Sequence, residues 1–203
     1  MSFIDNPKNF GLAAVVIGIV SILAGIVAIV RGALADPMAT GSVVAAVGTL
    51  LYGVLILGIG LPIYRGEDTN AFSILGKFVN FVGLATIVVY LFAGAGMIVD
   101  GDTGAGVVEI VIGLIFGLIL MWIAKRITDS TADTLDKIIW IILVIVFLVL
   151  TIVSLIGIFT PFLVDMDIID IVIAAVLSLC NFILYAFLLV AVLSNDVKSK
   201  MGM

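Results

Sequence analysis

Histidine is absent from this 203-residue chain and cysteine occurs once, at Cys180. A haem, a structural zinc or a histidine proton relay would each need ligands that such a chain does not supply, so no metal site or cofactor is expected. A lone cysteine excludes an internal disulfide framework. Charge is scarce as well: Asp, Glu, Lys and Arg make up 11% of the residues, against about 25% in soluble domains. The few basic residues are scattered, which excludes a nucleic-acid surface. HExxH, GxSxG, phosphate-loop and dinucleotide-binding motifs are all missing, and no aspartate pair lies inside an apolar stretch. With no nucleophile, base or metal ligands at reacting depth, the chain is not expected to be an enzyme.

Apolar residues, by contrast, reach 64%. They fall into blocks of the length that a helix needs to cross hydrocarbon, about 20 residues. Lipid cannot satisfy the edge of an open sheet, and the runs are continuous rather than alternating as barrel strands would be. The sequence therefore predicts an all-α membrane protein, one polytopic domain over 1–203, with spans near 10–30, 40–64, 78–99, 104–124, 138–160 and 168–193. The first block is longer than a signal-peptide core and no small-residue cleavage site follows it, so a removable signal is not expected.

The connections alternate in charge. Lys8, Arg65, Lys77, Lys125, Arg126, Lys137, Lys198 and Lys200 fall on one side of the spans, and Arg31 alone on the other. Short loops rich in Lys and Arg stay in the cytoplasm, which predicts a cell-membrane protein with both termini cytoplasmic. The outer side then carries an acidic rim, Asp36, Asp100, Asp102, Asp165 and Asp167, that would concentrate cations. Asp36, Asp100 and Asp165 recur at intervals of 64 and 65 residues. Together with the matched strings Glu109-Ile-Val-Ile and Asp170-Ile-Val-Ile, this suggests three tandem helical hairpins, set against chance self-alignment of apolar sequence. Asp36-Pro37, Asp102-Thr103 and Asp167-Ile168 each stand where an even-numbered helix should begin. Aspartate there is expected to cap free amides rather than to bind a metal.

Span one holds the sharpest pattern. Gly11, Gly18, Gly25 and Gly32 recur every seven residues, with Ala14, Ser21 and Ala28 between them. On a helix this is one stripe of small side chains, a packing seam that lets another backbone approach closely. Nineteen of the 21 glycines precede residue 118, so spans one to four are expected to pack tightly and spans five and six more loosely.

Polar groups at mid-depth are few. Asn181 and Ser178 in span six read first as interhelical glue and second as a solute contact. Glu109 and Asp170, near the outer ends of spans four and six, are the candidate ion or proton site, weighed against an ordinary interfacial position.

Two functions follow. The first is a non-catalytic subunit or scaffold in the lipid bilayer, a homo-oligomer or a companion of other membrane subunits, supported by the small-residue seam. The alternative is a small channel or transporter for a cation or small neutral solute. Its support is the acidic rim and the mid-depth polar residues Ser21, Tyr52, Thr86, Tyr90, Thr151, Ser154, Ser178 and Asn181. The two separate on whether those residues converge on one cavity.

Overall fold

The computed structural model describes residues 6–128, 134–164 and 167–203. Six long helices account for most of it: α1 Pro7–Leu34, α2 Thr40–Arg65, α3 Ala71–Val99, α4 Thr103–Ile127, α5 Thr134–Phe159 and α6 Ile168–Leu193. A 3-10 turn, Thr160–Leu163, follows α5, and a short helix α7, Asn195–Lys200, closes the chain. All six long helices are long and apolar enough to cross a membrane, and no strand occurs among the described residues.

Helix starts follow local side-chain chemistry. The Asn6 carboxamide oxygen accepts from the Lys8 amide, with Pro7 at the first helical position of α1. Asp102 accepts from the Ala105 amide at the start of α4, and Asp167 from the Ile169 amide at the start of α6. Helix α3 begins seven residues before the expected boundary because Asn70 accepts from the amides of Phe72 and Ser73. Asp68 braces the same turn, accepting from the Ser73 hydroxyl and pairing with Lys77. Burial pulls the Asp68 carboxyl upward, but its bonds from Lys77, Ser73 and the Asn70 amide outweigh that and hold it below the ordinary value.

One expected cap is replaced. Asp36 is exposed and does not cap α2, which starts only at Thr40 with Ala39 at its N-cap and no side-chain cap bond. Asp100, at the end of α3, serves α2 instead: its carboxylate accepts from the Gly41 amide at 3.0 Å. Gly41 leaves the space into which that carboxylate fits. Asp100→Ala should therefore cost about 1 kcal/mol of stability, read as a lower unfolding temperature in detergent. An unchanged midpoint would remove the cross-helix cap.

Sequence neighbours lie antiparallel. Gly18 meets Gly53 and Gly25 meets Leu50 between α1 and α2; Gly83 meets Gly117 between α3 and α4. Gly48 meets Val89 and Gly96 meets Gly41 between α2 and α3. At Gly18, Gly25, Gly83 and Gly96 even one carbon would strike backbone, whereas at Gly48 it would meet the Phe92 side chain first. At the former positions the helices touch main chain to main chain, where dispersion and weak Cα–H contacts operate. The α1 glycine row therefore faces α2 of the same chain.

Helix α5 is peripheral: only 11% of its apolar stretch is buried within the chain, against 33% for α1. It packs on α6, where Gly157 faces Ser178 and the Trp140 indole donates to the Val192 carbonyl at 2.9 Å. That bond satisfies an acceptor left free at the end of α6. Helix α6 in turn lies against α1 and α3, fastened near its two ends. At one end Arg31 bridges Asp170 and Asp167, the latter at 3.6 Å. At the other, the Phe10 and Phe187 rings meet edge to face, with centroids 5.4 Å apart. The turn of α7 returns Lys200 over the Phe72 ring at 4.8 Å.

Candidate functional site

Ser21 in α1, Tyr52 in α2, Thr86 in α3 and Asn181 in α6 stand at the midpoints of their helices. Antiparallel packing of helices of similar length brings those midpoints to one depth. There, between the two fastenings of α6, a cavity of about 240 Å³ opens among α1, α2, α3 and α6. Its polar groups are Ser21, Thr49, Tyr52, Thr86, Tyr90, Asn181 and Tyr185; Phe81 and aliphatic side chains complete the wall.

The hydrogen bonding is incomplete in an informative way. The Tyr52 hydroxyl donates to the Asn181 carboxamide oxygen at 3.3 Å, joining α2 to α6 across the cavity. The Thr86 hydroxyl donates to its own helix, to the Val82 carbonyl at 2.7 Å. Ser21 is 0% exposed, and its hydroxyl has no hydrogen-bond partner among the described residues. A buried hydroxyl left unpaired costs about 1–3 kcal/mol, and Ser21 carries that cost in the wall of this polar cavity. Among the described residues no Asp, Glu, Lys or Arg lines the cavity. Its chemistry is that of hydroxyls, one amide and aromatic faces, which suits a small uncharged molecule able to donate and accept hydrogen bonds. A volume of about 240 Å³ also falls just below the range of about 300–1,000 Å³ typical of drug-sized ligand sites.

The other candidate residues sit elsewhere. In α1, Gly11, Gly18, Gly25 and Gly32 face α2, and Ala14 meets Gly60 of α2; Ala28 of the same helix is half-buried. Ser178 faces Gly157, away from the cavity wall, and the Thr151 hydroxyl bonds back to the Phe147 carbonyl. Glu109 is half-buried on α4, forms no ion pair with a described residue and lies outside the cavity. Asp170, expected to act with it, is paired to Arg31. Of the rim, Asp100, Asp102 and Asp167 are engaged at helix starts, Asp36 is exposed, and Asp165 lies outside the described residues. Among the described residues no group of three His, Cys, Asp or Glu side chains is placed to hold a metal ion.

Thr49 and Tyr185 complete the cavity wall, and of the two only Thr49 was not singled out from sequence. Tyr185 follows Asn181 by one helical turn and so shares its face, a signal available in the spacing. For Thr49 only its depth in α2 pointed the way. No known protein family, curated protein or solved structure matches this chain.

Proposed function

We propose that this is a non-catalytic multi-pass protein of the cell membrane that binds and passes a small neutral solute. The single observation that carries this reading is the convergence of mid-depth polar groups, the unpartnered Ser21 hydroxyl among them, on one uncharged cavity. The scaffold reading rested on the α1 seam, and those glycines are engaged with α2 of the same chain, which leaves less of that helix to recruit a partner. Cation transport is the less favoured form of the same idea, since the cavity wall is uncharged and Asp170 is neutralised by Arg31. Three tandem hairpins, α1–α2, α3–α4 and α5–α6, with both termini cytoplasmic, remain the arrangement that the charge bias and the helix pairing support best.

The test is uptake into liposomes reconstituted with the full chain, using glycerol and urea as neutral probes and sodium as the cation. Uptake of a neutral probe above protein-free vesicles is expected, unchanged in Glu109→Gln. Sodium flux that disappears in Glu109→Gln would transfer the function to the acidic residue. If no probe moves, the carrier reading fails.

A further inference from the structure

A second cavity, of about 320 Å³, lies at the end of the bundle that carries both termini. It is bordered by Phe10 of α1, Leu75 of α3, Phe187 and Leu188 of α6, and Ser194 and Asp196 just beyond α6. The central and terminal cavities thus share three walls, α1, α3 and α6, in the same order of depth. What separates them is aromatic. Phe81 borders the central cavity and Phe10 the terminal one; Phe78 stands between, 0% exposed, with ring centroids 6.1 Å from Phe81 and 4.4 Å from Phe10. The Tyr52 ring continues the pile at one end, 5.4 Å from Phe81, and Phe187 at the other. Along α3, Phe78 is one turn from Leu75 and one from Phe81, so the dry layer is roughly 9 Å deep at helical rise.

We propose that the two cavities are successive halves of one solute route along α6, closed by the Phe78 ring held between Phe10 and Phe81. This rests on the solute-carrier reading above. A hydrophobic constriction of this thickness stops water and polar solutes by dewetting, without any charge. Its opening requires the Phe78 side chain to turn aside, or α6 to move away from Phe10. The second motion breaks the Phe10–Phe187 ring contact while the Arg31 pairs at the opposite end of α6 stay in place, and α6 meets α3 only sparsely.

The experiment places a reporter thiol in the central cavity, Thr86→Cys in a Cys180→Ser background. A small charged methanethiosulfonate reagent is applied from the side of the termini to the full chain in liposomes. Modification should be slow with Phe78 intact, at least tenfold faster in Phe78→Ala, and slow again in Phe78→Trp, which restores bulk. Phe10→Ala opens the same contact from the other helix and should also accelerate labelling; it substitutes for Phe78→Ala if that variant does not fold. Folded variants that label no faster than the parent overturn the gate. Faster labelling without glycerol or urea flux in any variant supports the gate while removing the carrier function. Flux in the parent with no acceleration does the reverse.

Discussion

Gly18→Leu and Gly53→Leu are each expected to destabilise the protein by about 3 kcal/mol, the upper end of what overpacking a filled interior costs. The two glycines face one another across α1 and α2. A Cβ on Gly18 would lie 2.9 Å from the Gly53 carbonyl oxygen, and one on Gly53 would lie 2.7 Å from the Gly18 oxygen and from the Ile22 nitrogen. Two of these three obstacles are carbonyl oxygens and the third a backbone nitrogen, so no rotamer change relieves the clash and the helices must separate along their length. Gly58, on the same helix as Gly53, has nothing within 4 Å of a Cβ. Gly58→Ala should therefore be neutral, or stabilising by up to about 1 kcal/mol through helix propensity. Thermal unfolding in a mild detergent reads all three. Equal midpoints for Gly18→Leu and Gly58→Ala would mean that α1 and α2 are not in backbone contact.

The second large effect carries opposite signs on stability and function. Ser21→Ala removes a fully buried hydroxyl that no group among the described residues satisfies. The solute-free protein should become more stable by about 1 kcal/mol, because an unpaired polar group no longer has to be buried. Binding or uptake of the neutral solute should fall about tenfold, the equivalent of about 1.4 kcal/mol for one lost hydrogen bond. Asn181→Leu should lower both quantities, since it deprives the Tyr52 hydroxyl of its acceptor and, on the proposed carrier reading, takes a polar group from the solute. Its stability loss should be about 1 kcal/mol and its uptake loss at least tenfold. Unfolding midpoints and initial uptake rates of the two variants settle the matter together. Were Ser21→Ala less stable than the parent, its hydroxyl would be structural and the cavity would lose its central argument.

The spans could be read from sequence because hydrocarbon imposes a single solution on an apolar block of such length. Their ends were less legible. Lys77 suggested the border of the third span, whereas Asn70 and Asp68 carry that helix seven residues further. The cap on α2 was placed on Asp36 by proximity, although the acceptor is Asp100, 59 residues away from Gly41. Helix α7, capped by Ser194, went unread within the C-terminal tail.

The cavity illustrates the same boundary between local and long-range information. Depth along a span is a local property, so Ser21, Tyr52, Thr86, Tyr90 and Asn181 could be recognised as mid-membrane polar residues one at a time. Their meeting depends on which face α6 turns toward α1 and α3. That face is fixed by pairings such as Arg31 with Asp170, 139 residues apart, and Tyr52 with Asn181, 129 apart. No periodicity within one helix encodes such a choice. Thr151 and Ser178, equally polar and equally deep, lie outside the cavity for the same reason.

The bond from the Gly41 amide to Asp100 bears on biogenesis. Both helices of the first pair are synthesised before residue 100, and until then this donor at the head of α2 lacks its acceptor. The α1–α2 pair can form, but the head of α2 is finished only when the far end of α3 has reached it. Assembly of the N-terminal half is in this way ordered by translation itself, with a single carboxylate registering that the third crossing has arrived.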